Sequence, residues 1–118
     1  MPGNADNLTF LNGVPELLVL RLLARREMYG YEVVRAIAEA TGQVLEFGEG
    51  CIYPILHTME KRRWVSSRRL LRDGRERIYY RITDLGRARL EKTALRWAEI
   101  SAAIRLAMGG DHVADVGQ

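Results

Sequence analysis

Three stretches of the chain repeat their apolar residues every three or four positions. A shorter stretch then folds back about a turn signal, and a last long stretch returns to the helical period. Asn12 is suited to cap a first helix whose early turn accepts Pro15. The body of that helix, ELLVLRLLARR, is apolar nearly all round except at Glu16 and Arg21, the pattern of a central, buried helix. The segment MYG interrupts, and Gly30 is expected to supply a tight turn into a second helix, YEVVRAIAEATG. Val33, Val34, Ile37 and Ala38 form its apolar stripe and Gly42 its stop. QVLEFGEG reads as a short extended linker closed by Gly48 and Gly50.

A third helix is predicted from about Gly50 to Arg63, with Ile52, Ile55, Leu56 and Met59 on its buried side. Turning by 100° per residue gathers Tyr53, His57 and Lys61 on the opposite, exposed side. Pro54 is expected among the early amides, which have no internal partner. Val65 to Leu71 and Arg77 to Ile82 then flank Asp73-Gly74, the strongest short-range hairpin signal. Thr83 caps the last helix, which runs to Met108 and is ended by Gly109-Gly110. On it Leu90, Ala94, Trp97, Ser101, Ile104 and Met108 recur at alternating spacings of four and three, a heptad-like seam. Leu95, Ala98 and Ala102 lie beside it. So much apolar surface predicts packing on both the chain's own core and a second subunit.

Length changes this picture little: 118 residues suit one domain, and 47% apolar with 28% charged residues is ordinary for a globular chain. No apolar run reaches membrane-spanning length, and Met1 to Asn7 carries no secretion signal. Cys51 is the single cysteine, so neither an internal disulfide nor a cysteine-based zinc site is available, and a cytoplasmic location is expected. Charge changes the picture more. Between Lys61 and Arg81 stand nine basic residues and two acids, a local charge of +7 in a chain whose net charge is +3. The remainder is therefore acidic, at −4, and the basic block marks a polyanion-binding face.

Helix, helix, helix, basic hairpin, helix is the order of a winged helix-turn-helix domain. The fold class expected is mainly α with a small β-hairpin (α+β). Residues 1–11 form an N-terminal arm, 12–82 the DNA-binding domain, 83–108 a dimerisation helix and 109–118 a disordered tail. The crowding of Arg68, Arg69, Arg72, Arg75, Arg77 and Arg81 on one hairpin then has a use. The wing lies along a DNA backbone while the third helix enters the major groove. A winged-helix protein-interaction module is the alternative. An enzyme is disfavoured, since the two histidines, His57 and His112, stand in no nucleophile–base, phosphate-loop or metal-ligand motif. No cofactor is expected.

PELLVLRLLARREMYGYEVVRAI, GEGCIYPILHTMEKRRWV, DGRERIYYRITDLGRARL and the tryptophan of ALRWAEI resemble the PadR-like transcriptional regulators, in the short subfamily with one C-terminal helix. The resemblance covers about Gly13 to Ile104. It implies a dimeric repressor of its own and neighbouring genes, bound to a double-stranded operator. Tyr31, Tyr53, His57 and Lys61 would then face DNA, with Arg72, Gly74, Arg75 and Arg77 on the wing. It also implies that a flat hydrophobic effector could lie between subunits. Ala94, Trp97, Ser101 and Ile104 share the seam as dimer interface or effector site: small residues flanking the indole leave room for a ligand, while the favoured reading is an indole that fills the dimer core. This chain departs from the family pattern at Cys51, where a small hydroxyl residue is usual, and at Thr58, where a basic residue is common. Arg63-Trp64 replaces a typical Gly-Leu. A thiol in the first turn of a helix is open to ionisation, but with no second cysteine to resolve an oxidised sulfur, Cys51 is expected to fill space.

Overall fold

The computed structural model describes residues 13–109, among which four helices surround a three-stranded antiparallel sheet. In chain order these are α1 (Val14–Arg25), β1 (Met28–Tyr29), α2 (Gly30–Ala40), α3 (Glu49–Lys61), β2 (Val65–Arg72), β3 (Arg75–Ile82) and α4 (Asp84–Ala107). The sheet order is β1-β3-β2. Asn12, the arm and the residues after Gly109 lie outside the described residues. The described start of α1 has Gly13 at its N-cap with no side-chain cap, and Pro15 follows within the first turn. As its pattern predicts, α1 is central: Val19, Leu20, Leu22 and Leu23 are buried, and the helix packs against α2, α3, the sheet and the start of α4.

MYG is not a turn. Met28 and Tyr29 form a strand that pairs with Tyr80 and Tyr79 of β3. Gly30 is not needed for an unusual backbone angle. It is needed for space, because a Cβ there would sit 2.4–2.6 Å from the Tyr53 ring. Gly42, by contrast, does end α2 as expected, with φ +60° after the Thr41 cap.

In α3 the residues Ile52, Leu56 and Met59 are fully buried, while Ile55 packs at the margin. The helix starts earlier than expected, at Glu49, which puts Pro54 in its second turn. Pro54 therefore removes an internal donor and leaves the Gly50 carbonyl to solvent, where both residues are exposed. Cys51 is half-buried in the first turn.

The hairpin is closed by a two-residue turn in which Asp73 has φ 52° and Gly74 φ 74°. Two consecutive left-handed residues match the twist of the flanking strands, which is why Asp-Gly serves here. At the other end, Arg63 also has a left-handed φ of 65°, a conformation that favours glycine. Trp64 follows and is buried between two guanidinium groups, Arg62 at 5.2 Å and Arg89 at 4.6 Å from the ring centre.

Thr83 caps α4 by accepting from the Gly86 amide at 3.0 Å, and its hydroxyl donates to the Arg63 carbonyl at 2.7 Å. Gly86 lies so close to the Trp64 carbonyl that a Cβ would come within 2.0 Å of that oxygen. Leu90, the first residue of the seam, packs against the chain's own core, because the first turns of α4 lie on the head of the molecule. Farther along, Trp97 and Ser101 are half-buried and Ala94, Ile104 and Met108 are exposed.

Candidate nucleic-acid interface

A cleft of about 670 Å³ opens between the start of α2, one side of α3 and the wing. α2 contributes Tyr31 and Arg35, α3 contributes Tyr53 and His57, and β3 contributes Arg75, Arg77 and Ile78; Tyr29, Gly30 and Tyr80 form its floor. No carboxylate lines it. Among the described residues, neither Arg75, Arg77 nor Arg35 is paired with an acid. The cleft is thus a concave, cationic surface with aromatic walls, suited to a phosphate backbone with bases beside it.

Each wall has a local cause. The close approach at Gly30 seats the Tyr53 ring between α2 and α3, so Tyr53 is half-buried and not fully on the exposed side expected from the helical wheel. Burial pushes the Tyr53 phenol above its ordinary range, with Glu49 adding to the shift, so the hydroxyl stays neutral and available as a donor. The His57 ring stands 6.4 Å from the Tyr53 ring, one turn on, and is exposed. Arg77 is held over the Tyr29 ring at 4.3 Å, and Arg35 over Tyr31 at 5.5 Å. Strand β1 therefore matters to the site: its pairing with β3 brings Tyr29 under Arg77.

Five of the eight residues expected to face DNA line this cleft: Tyr31, Tyr53, His57, Arg75 and Arg77. Lys61 is exposed farther along α3, and Gly74 is exposed at the wing tip. Arg72 lies outside the cleft, where its guanidinium stacks 4.4 Å over Tyr79 and reaches Glu27 at 3.4 Å. Five further lining residues, Tyr29, Gly30, Arg35, Ile78 and Tyr80, are not among those expected to face DNA, and two of them bear on the chemistry of the cleft. Arg35 carries a faint signal, the Tyr31–Arg35 spacing of four on α2. Tyr29 carries none, since its place depends on a strand partner fifty residues away. Among the described residues no group of three or more His, Cys, Asp or Glu could hold a metal ion.

Comparison with known proteins gives this surface a context. The sequence pattern of the transcriptional regulator PadR-like family matches residues 19–92, from α1 into α4. The chain belongs to the PadR-like family. PadR-like proteins are transcriptional regulators, not enzymes. An uncharacterized protein of Lysinibacillus sphaericus is 33% identical over 101 residues, which cover 85% of this chain and 93% of that protein. A PadR-like transcriptional regulator from Bacillus cereus superposes with a TM-score of 0.73 at 29% identity, covering 86% of this chain and 97% of that one. Bacillus subtilis PadR, crystallised with operator DNA, superposes with a TM-score of 0.59 at 26% identity, over 64% of this chain and 44% of its own. The architecture is the winged-helix fold of these PadR structures, with the long C-terminal helix present. No described helix is long and apolar enough to cross a membrane.

Proposed function

We propose that this PadR-like protein is a dimeric, sequence-specific DNA-binding regulator that represses its own gene and neighbouring genes. α3 enters the major groove, where Tyr53 and His57 reach base edges and Lys61 a phosphate, with Tyr31 beside them. The wing follows the backbone, with Gly74 at its tip and Arg75 and Arg77 as phosphate contacts. The observation that carries this reading is the cationic, aromatic-walled cleft between α2, α3 and the wing, free of any carboxylate. The likeness to Bacillus subtilis PadR, solved with operator DNA, supports DNA as the partner.

Two copies join through α4, along Ala94, Trp97, Ser101 and Ile104. Exposed Leu95, Ile104, Leu106 and Met108 supply apolar surface for that contact. The operator is then an imperfect palindrome with half-sites about one DNA turn, near 34 Å, apart. A flat hydrophobic effector fits between the paired Trp97 rings, where small residues leave room.

A direct test titrates duplexes from upstream of the protein's own gene, and an unrelated duplex of equal length, with wild type, Arg75→Ala, Arg77→Ala and His57→Ala. The arginine variants lose affinity for both duplexes and flatten the salt dependence by about 0.9 per lost contact. His57→Ala lowers the ratio between them, by about 1–3 kcal/mol for one base contact. Equal affinity of the wild type for both duplexes refutes operator recognition. The effector is tested by tryptophan quenching with planar hydrophobic cations on a Trp64→Phe background, with no quenching expected if Trp97 only fills the interface.

A further inference from the structure

The arginines of the wing fall into two groups. Residues opposite one another in the hairpin share a face, and alternate positions repeat it. Arg68, Arg72, Arg75, Arg77 and Arg81 therefore stand on the same side of the sheet, since Arg72 pairs with Arg75, Leu70 with Arg77, Arg68 with Tyr79 and Ser66 with Arg81. Arg81, farthest from the turn, reaches the Ser66 hydroxyl at 3.4 Å. Arg75 and Arg77 line the cleft. Arg68 and Arg72 are bound instead to Glu27. The Glu27 carboxylate accepts from Arg68 Nε at 2.8 Å and Nη2 at 2.9 Å, a two-pronged fit, and takes Arg72 Nη2 at 3.4 Å.

Glu27 is held there by the fold. It immediately precedes β1, whose pairing with β3 pins the chain beside the hairpin. Its side chain is only 16% exposed, while those of Arg68 and Arg72 are 54% and 48% exposed. The two guanidinium groups thus remain within reach of a passing phosphate but already have an anionic partner. The fork of Arg68 that would grip a phosphate in two places is filled by a carboxylate of the same geometry. The Arg68 hydrogen bond holds the Glu27 carboxyl below its usual range, so the partner is charged at neutral pH.

We propose that Glu27 is a specificity-determining residue for DNA: by occupying Arg68 and Arg72, it withdraws them as phosphate contacts and leaves that task in the cleft to Arg75 and Arg77. This rests on the DNA-binding function proposed above. Phosphate contacts attract every duplex equally, whereas base contacts do not. A regulator must find its operator among about a million or more competing sites, so each extra phosphate contact raises the background it works against. Withdrawing two of the five arginines on this face of the wing leaves base readout a larger share of the binding energy.

The test measures binding to an unrelated duplex between 50 and 200 mM salt for wild type, Glu27→Gln, Arg68→Ala/Arg72→Ala and the triple variant. Glu27→Gln keeps the shape and removes the charge. It is expected to bind this duplex more tightly and to steepen the salt slope by about 0.9–1.8, so that its advantage grows about threefold per added contact as salt falls across this range. The double variant should keep the wild-type slope, and the triple variant should return to it. A carboxylate that merely braces the wing predicts the reverse, with Glu27→Gln and the double variant both weakening binding. An unchanged or shallower slope for Glu27→Gln overturns the proposal. So does a double variant flatter than wild type, which would show that these arginines already touch DNA. Wild type that binds no duplex at any salt overturns the DNA-binding function itself, and the proposal with it.

Discussion

Helix α1 is rich in leucine and valine and α4 in alanine, leucine and isoleucine, yet the fold treats them oppositely. α1 buries Val19, Leu20, Leu22 and Leu23 almost completely within the chain. α4 is twice as long and buries only Gly86 and Thr93, while Leu95, Leu106 and Met108 stay at least two-thirds exposed. The difference is one of neighbours. α1 is enclosed by α2, α3, the sheet and the first turns of α4, whereas those first turns are the only part of α4 that rests on the head. Apolar composition alone therefore does not say whether a helix serves the core or a partner.

The sharpest contrast comes from truncation. Leu20→Ala should cost about 3–5 kcal/mol in urea or thermal unfolding, because a fully enclosed side chain leaves a cavity. Leu106→Ala, on the exposed part of α4, should leave the stability of a single chain within about 0.5 kcal/mol. Comparable losses at the two positions would erase the distinction between the helices.

Gly86→Ala tests whether α4 itself changes character along its length. An added Cβ meets the backbone oxygen of Trp64, which cannot swing away, so a loss of about 3 kcal/mol is expected at the joint. Ile104→Asp, five turns on, should instead raise the dimer dissociation constant at least tenfold, about 1.4 kcal/mol. It should leave the unfolding of dilute, dissociated chains unchanged. Sedimentation equilibrium reads the first effect and dilute thermal melts the second. A protein that sediments as a monomer at micromolar concentration breaks the comparison, since α4 would then expose its apolar face for no partner copy.

A small effect of opposite sign is expected at Arg63, whose carbonyl accepts from Thr83 at the start of α4. Arg63→Gly should stabilise the chain by about 0.5–1 kcal/mol, as relief from a left-handed backbone outweighs the extra freedom glycine gains on unfolding. Loss of stability would mean that Arg63 makes up for its backbone through contacts of its side chain.

The candidate site was only partly legible. Tyr53 and His57 follow from helical spacing, and Arg75 and Arg77 from their place beside the hairpin turn. Arg35 and Tyr29 complete the cleft without a comparable signal, and the wheel misjudged Tyr53 because it knows nothing of Gly30 on the neighbouring helix. The role of Glu27 was hidden for a similar reason, since its partners lie forty-one and forty-five residues away.

What the sequence determined by itself is what short-range sterics and periodicity control. The Asp73-Gly74 turn fixes the hairpin register, Thr83 starts α4, Gly42 stops α2, and Ile52, Leu56 and Met59 mark the inner side of α3. The tertiary structure decided the pairing of β1 with β3, the seating of Tyr53 on Gly30, the assignment of Leu90 to the core and the division of the arginines by Glu27. Each of these depends on two distant segments meeting. A residue's own neighbours fix its backbone and the face it occupies, but only the folded chain fixes what stands opposite that face.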